Sequence, residues 1–312
     1  MRHGADMVNG ILNIYKEAGF TSHDVIAKLR GMIGIRHVGH TGTLDPMAEG
    51  VLPVCIGSAT KVCDMMNEGK KVYVARILFG TATDTEDITG NVIQTLPVFA
   101  KKEDLEKAFE KYIGNILQTP PVFSAIKING QRSYDLAREG KSKELEKRPV
   151  TIYSIDLLEC ETDENGNLRE ASIEVVCGKG TYIRSLCRDL GTDVGSCACM
   201  KALIRTKTDI FEAKDAFKLS EIQTFKDNGT IDEHILPIDK YFKDYDILTT
   251  KPEFDKLVDN GNPIKKREAE FERPIKEFYR AYNSAGEFRG VYRFDRSRGR
   301  FNPYKMFLEV YS

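Results

Sequence analysis

The sequence predicts an α+β protein, in which short strands and amphipathic helices share the chain without the strict strand–helix alternation of a doubly wound sheet. Two patterns carry that expectation. Residues 70–80, KKVYVARILFG, alternate as a strand, with Tyr73, Ala75, Ile77 and Phe79 on one face and Val72, Val74, Arg76 and Leu78 on the other. Residues 101–114, KKEDLEKAFEKYIG, set Leu105, Ala108, Phe109, Tyr112 and Ile113 on one helical stripe, with Gly114 as a stop.

The remaining elements follow in order. Residues 21–34, TSHDVIAKLRGMIG, read as a helix with Thr21 and Asp24 as a loose capping box and Val25, Ile26, Leu29, Met32 and Ile33 at helical spacing. VLPVCIG (51–57) reads as a short buried strand and SATKVCDMM (58–66) as a short helix starting at Ser58. Residues 120–149 open with Pro-Pro and end with Arg148-Pro149, and between them lie Lys127, Arg132, Arg138, Lys141, Lys143, Lys147 and Tyr134. That composition reads as an exposed excursion from the core, with a short helix stopped by Gly140. TIYSIDLLECE and ASIEVVCG form a strand pair around the DENGN turn. KGTYIRSLCRDLG (179–191) is a glycine turn followed by a helix that stacks Tyr182, Leu186, Leu190 and Val194. The pattern weakens over 229–239, the expected linker, and strand-like pieces return in EFYRAYN, FRGVYRF and MFLEVY. The expected organisation is a body over 1–230 with its excursion at 120–149, a linker at 231–243 and a small domain over 244–312. The last part carries Arg289, Arg293, Arg296, Arg298 and Arg300 among aromatics.

Composition narrows the function classes. The 312 residues are 41% hydrophobic and 30% charged, ordinary for a globular protein with a sizeable core. A formal net charge of −1 gives no bulk attraction to nucleic acid, so an RNA partner requires local basic surface. The first thirty residues lack the apolar run of a signal peptide, and no window approaches a transmembrane span, so the expectation is a cytoplasmic protein without membrane contact. The seven cysteines (Cys55, Cys63, Cys160, Cys177, Cys187, Cys197, Cys199) are odd in number and scattered in apolar runs, which reads as reduced core thiols. Cys187, Cys197 and Cys199 lack the second pair, or the His at finger spacing, of a structural zinc site.

One stretch stands apart: RHVGHTGTLDPMAEGVLPVCIGSATK, residues 36–61, sets a lone carboxylate, Asp45, among Gly, Thr and Pro. Pro46 pushes Asp45 into extended backbone, and Thr41, Thr43 and Ala48 leave the carboxylate reachable. Read locally, Asp-Pro after Gly-Thr is a turn. No dinucleotide fingerprint or phosphate-binding loop is present. Glu49 does not make a defined two-carboxylate pair with Asp45, and His40 reads as a polar loop residue or a general base.

Taken together, these blocks resemble the bacterial tRNA pseudouridine-55 synthases of the TruB type. YKEAGFTSHDV is similar to that family's opening segment, GHTGTLDPMAEGVLPVCIGSATK to its catalytic loop, and KKVYVARILFGTATDTEDITG to its Tyr-bearing strand and following turn. PPVFSAIKINGQRSYDLAREG resembles its RNA-covering insertion and CGKGTYIRSLCRDLG its second active-site strand and helix. The blocks keep family order from about residue 9 to 212, and the last seventy residues carry much less of the likeness. The opening segment departs from the pattern at Lys16-Glu17, where the family has Lys-Pro, which weakens any specific role for Lys16.

The resemblance implies a pseudouridine synthase-like mixed sheet with helices packed on it, and a mostly β C-terminal domain of PUA-like type. It implies Asp45 as the nucleophile, attacking either C1′ or C6. Tyr73 would stack on the everted base and is a candidate for taking the C5 proton. Arg184 would hold Asp45 ionised, Tyr182 and Leu203 would line the uridine pocket, and His40 would fill the gap left in the RNA stack. Lys127 and Arg132 would contact phosphates of the tRNA T arm. No cofactor or metal is implied. The length of residues 131–147 implies a stand-alone enzyme without guide RNA, and a monomer is the separate expectation. Two other classes stay open on the residues alone: a tRNA-binding module without activity, and a uridine-releasing hydrolase using Asp45 and Glu49.

Overall fold

Local chemistry sets the first elements. Thr21 and Asp24 cap each other's backbone at the start of α1 (Ser22–Ile33), and Gly34 ends it in the left-handed region. In the computed structural model, which describes residues 9–124, 126–128, 130–139 and 145–308, α1 follows β1 (Gly10–Lys16) and precedes β2 (Val38–His40) and β3 (Glu49–Ile56). The chain continues through a 3₁₀ segment (Gly57–Val62), α2 (Cys63–Met66), β4 (Lys71–Phe79), β5 (Thr81–Thr83), β6 (Val92–Thr95), α3 (Lys102–Phe109) and β7 (Gly114–Gln118). A small hairpin, β8 (Lys127–Ile128) and β9 (Gln131–Arg132), leads to α4 (Ser133–Arg138), β10 (Arg148–Thr162), β11 (Leu168–Cys177), α5 (Ile183–Asp193), β12 (Ala198–Thr208) and β13 (Phe211–Glu212). Then come α6 (Leu219–Asp227), α7 (Ile238–Tyr241), β14 (Asp246–Thr250), α8 (Asp255–Asp259), β15 (Ile264–Lys265), β16 (Ala269–Phe271), β17 (Phe278–Tyr282), β18 (Phe288–Asp295) and β19 (Arg300–Met306).

The main sheet runs β1-β3-β12-β4-β11-β10-β7, with β2 on β3 and β13 on β12. Its pairs are antiparallel except β3 with β12, where Ile204 faces Glu49 and Arg205 faces Gly50. That single parallel contact brings the strand leaving the Asp45 loop beside the one that carries Leu203. The alternation of β4 buries Tyr73, Ala75, Ile77 and Phe79 with Leu105, Phe109, Leu186 and Leu190 of α3 and α5. A second core joins β1 and β3 to α1 and α6. The last six strands form a separate sheet, β15-β19-β18-β17-β14-β16, around Tyr279, Tyr292 and Phe301. Val291 and Phe307 pack it against β1, β3 and α7.

Several elements differ from expectation for identifiable reasons. The helix over 101–114 ends at Phe109, where the Lys111 and Tyr112 N–H groups turn back three residues to the Ala108 and Phe109 carbonyls, and Gly114, at φ +102, then opens β7, pairing with Ile152. Residues 58–66 form a 3₁₀ segment and one α-turn rather than one helix. Tyr182 is the extended residue before α5, not its first turn. Residues 120–149 are not uniformly exposed: Pro120, Pro121, Ser124, Ser133 and Leu145 are buried. Residues 229–239 are tied down, with Leu236 and Ile11 exchanging backbone hydrogen bonds of 2.9 Å. The last strand ends at Met306, and residues 309–311 of MFLEVY lie outside the described residues, as does Gly140. Cys55, Cys177, Cys187, Cys197 and Cys199 are buried free thiols. Among the described residues no helix is long and apolar enough to cross a membrane, and no cluster of His, Cys, Asp or Glu is placed to hold a metal.

Candidate active site

Asp45 sits in a loop whose neighbouring peptides are each fastened from elsewhere. The Leu44 N–H donates to Ser22 Oγ at 3.0 Å, and that hydroxyl donates back to the Leu44 carbonyl at 3.3 Å. The Pro46 carbonyl accepts from Lys16 Nζ and from the Gly19 N–H, both at 3.0 Å. Lys16 is fully buried and also donates to the carbonyls of Glu17 and Phe20, so the Lys16-Glu17 departure does not remove a role for this lysine. Burial lowers its pKa to about 8. Farther out, Arg205, also fully buried, donates to the Gly42 carbonyl at 3.0 Å and the Val51 carbonyl at 2.8 Å, closing both ends of the loop. Gly50 takes φ +105, and a Cβ there would lie 2.2 Å from the Arg205 carbonyl oxygen, so only glycine admits the parallel contact.

The carboxylate itself is held from one side. Arg184 donates through Nε to Asp45 Oδ2 at 2.9 Å and through Nη2 to Oδ1 at 3.2 Å, a two-pronged contact that fixes the carboxylate plane. The same guanidinium donates to the Thr85 carbonyl at 3.0 Å and the Phe123 carbonyl at 3.1 Å. The arginine side chain is 7% exposed and that of Asp45 is 40% exposed. The cation is therefore sealed beneath the carboxylate, which stays reachable from solvent.

On the open side lies a cavity of about 320 Å³ lined by Asp45, Met47, Ile88, Met200 and Leu203, among others. Leu203 and Tyr73 share one buried cluster with Leu44 and Ala48 under the loop. Burial raises the pKa of the Tyr73 phenol, and the neighbouring Arg205 guanidinium opposes the rise. The Tyr182 backbone is gripped by Gln118, which donates to its carbonyl at 3.0 Å and accepts from its N–H at 2.9 Å. Burial also raises the Tyr182 pKa.

Asp45, Arg184, Tyr73 and Leu203 thus gather around one loop, and Tyr182 stands two residues from Arg184. Of the expected site residues, Asp45 and Leu203 line the cavity, whereas Tyr73, Tyr182, Arg184 and His40 do not; His40 ends β2 and packs edge-on against His23 with ring centroids 5.6 Å apart. Burial, with help from His23 and Arg205, lowers its pKa to about 4. Lys127 and Arg132 fall on the β8–β9 hairpin, and their side chains lie outside the described residues. Arg205, Ser22 and Lys16 escape sequence reading because their partners are remote in the chain. The one available signal, Ser22 in the Thr-Ser pair, reads first as a helix start.

A half-exposed carboxylate, oriented by a buried arginine and facing a largely apolar cavity, suits nucleophilic attack on a bound ring. Comparison with known proteins identifies the family. Residues 30–183 match the TruB family pseudouridylate synthase N-terminal domain, and residues 184–243 match the tRNA pseudouridylate synthase B C-terminal domain. A tRNA pseudouridine synthase B of Lachnoclostridium phytofermentans is 43% identical over 307 residues, spanning 96% of this chain and 100% of that protein. One from Clostridium kluyveri is 43% identical over 285 residues, spanning 91% and 95%. A chain in an H/ACA ribonucleoprotein bound to a substrate RNA containing 2′-deoxyuridine has the same fold, with a TM-score of 0.69 at 22% identity, covering 96% of this chain and 85% of that one.

Proposed function

This chain belongs to the TruB family of pseudouridylate synthases, and from that premise we propose that it isomerises uridine 55 in the tRNA T loop, with Asp45 as nucleophile. It is an isomerase that acts on tRNA. The reaction breaks the N1–C1′ bond, turns the base and joins C5 to C1′; the C5 proton leaves and N1 gains one. Asp45 can serve by bonding to C1′ or to C6, and both routes return the carboxylate. The observation that carries the reading is the Asp45–Arg184 pair, with the carboxylate open toward the cavity and the guanidinium sealed behind it.

The other groups act around that bond. The uridine leaves its stack at a cost of roughly a few kcal/mol. His40, lowered to about 4, is a neutral flat ring at pH 7, suited to filling the gap. Tyr73 stacks on the everted base. Its phenol stays protonated, so it takes the C5 proton only by passing its own onward. Leu203 lines the cavity, and Tyr182 adds to the wall around the bound base. Residues 120–149, through Lys127 and Arg132, lie against T-arm phosphates and let the enzyme work as a cytoplasmic monomer without guide RNA. The C-terminal region, 244–312, adds a second RNA-facing surface.

The deciding experiment measures tritium release from C5-labelled uridine in T-arm RNA. Wild-type protein releases tritium and leaves a carbon-linked nucleoside, while Asp45→Asn loses at least ~10³-fold in rate, as expected for a removed nucleophile. Free uracil in the supernatant would mark a hydrolase instead. Wild-type rates from Asp45→Asn would remove the covalent role.

A further inference from the structure

We propose that Glu86 is a positioning residue: it fastens the turn after β5 to α5 and thereby aims Arg184 at Asp45. The inference rests on the reading of Asp45 as nucleophile. The Arg184 fork is fixed by more than the carboxylate it holds. Two backbone carbonyls, those of Thr85 and Phe123, set its plane from behind. Each carbonyl lies on a loop, and a loop that drifts takes the fork with it.

Glu86 holds both loops. The Thr85 carbonyl belongs to the peptide that enters Glu86, and Glu86 has φ +64, a left-handed backbone that is unfavourable for a residue with a side chain. The Glu86 carboxylate accepts from Ser185 Oγ at 2.8 Å and pairs with the Arg188 guanidinium. Ser185 is the residue after Arg184 on α5, and Arg188 lies one turn beyond. The Glu86 carbonyl accepts from the Met200 N–H at 3.0 Å, anchoring the turn to β12 as well. Arg188 in turn donates to the Thr119 carbonyl at 3.3 Å, just before the 120–124 stretch that supplies the Phe123 carbonyl. One ion pair therefore ties the Thr85 turn, the Phe123 segment and the helix carrying Arg184 into one unit. The Glu86 side chain is 12% exposed and lies behind the arginine, not in the cavity, so it acts through Arg184 and not on the substrate.

A left-handed backbone offers a clean dissection, because glycine fits it without strain. Glu86→Gly keeps the turn and removes only the fastening. It lowers kcat by ~30- to 100-fold, the scale of a misplaced catalytic group, and leaves KM and tRNA affinity within about 2-fold. Adding Glu86→Gly to Arg184→Lys costs little more, because the fork is already gone. Glu86→Asp recovers part of kcat. Arg188→Met, which removes the pair from the other side and leaves Glu86 in place, gives the same kcat-only loss if the glycine variant fails to fold. Wild-type kcat in folded Glu86→Gly or Arg188→Met, or additive losses with Arg184→Lys, overturns the proposal. Asp45→Asn separates the two readings. If Asp45→Asn is inactive while Glu86→Gly turns over normally, only the positioning role fails; if Asp45→Asn turns over, the nucleophile reading fails first.

Discussion

The Asp45 loop and the basic cleft of the C-terminal sheet both present charge to solvent, and they do so in opposite ways. Around Asp45, the chain neighbours Leu44 and Pro46 are fastened by Ser22 and Lys16, and the carboxylate by Arg184. In the cleft, Lys265, Lys266, Arg267, Arg298 and Arg300 line an open cavity of about 640 Å³ without an acid among its lining residues. The described ion pairs of Arg267 and Arg298 are long, 3.9 Å to Glu268 and 4.0 Å to Asp295, and their side chains are 79% and 66% exposed. One region commits buried hydrogen bonds to a single geometry, and the other keeps cations adjustable. Bond-making needs placement to a fraction of an ångström, whereas attraction to a phosphate backbone needs only charge within a Debye length.

The sharpest way to break that contrast is Arg184→Lys. Lysine keeps the positive charge but lacks the planar fork that reaches Asp45 and both carbonyls. If placement rules at this end of the molecule, kcat falls roughly 10²-fold, with tRNA affinity and its salt dependence unchanged. A variant with near-normal kcat would mean that charge alone suffices, and the two regions would then work alike.

Gly50→Ala attacks the scaffold behind the loop. The added Cβ meets the Arg205 backbone at 2.2 Å with φ at +105, so β3 and β12 must part where they run parallel. A loss of roughly 2–3 kcal/mol in a denaturant melt is expected, together with reduced turnover in the folded fraction. Unchanged stability would show that the loop does not depend on this contact.

Why some of this was legible in the sequence and some was not comes down to range. The capping box at Thr21 and Asp24 acts over three residues, and the β4 alternation is a property of adjacent positions, so both appear in the sequence as they do in the fold. The stop expected at Gly114 failed because glycine marks a positive φ but not the element after it; here that element is a strand, paired to β10. Tyr182 fell into a run spaced four apart, yet its backbone is held extended by Gln118, a partner sixty-four residues away. Lys16, Ser22 and Arg205 are ordinary residues by pattern, and only the folded chain puts their polar atoms on the Asp45 loop. The basic run from Arg289 to Arg300 shows the same limit. Arg289 is paired with Asp259 and Glu287, and Arg293 with Glu277, whereas the cleft draws Lys265, Lys266 and Arg267 from another part of the chain.

The smallest expected effect belongs to the cleft itself. Replacing Arg267 and Arg298 together by Gln removes two exposed cations that make no short ion pair among the described residues and contribute nothing to the Asp45 geometry. If they meet tRNA phosphates, the slope of log affinity against log salt becomes shallower by ~0.7–0.9 for each phosphate no longer neutralised. At fixed moderate salt the affinity change is then only several-fold, and kcat at saturating tRNA stays at the wild-type value. The measurement is a filter-binding titration of full-length tRNA at several salt concentrations, set beside the same series for Arg184→Lys. The comparison predicts crossed results: the cleft variant changes the slope and not the chemical step, and the fork variant does the reverse. An unchanged slope in the double variant would mean that phosphate does not enter this cleft, and the adjustable charge on this side of the molecule would need a different ligand.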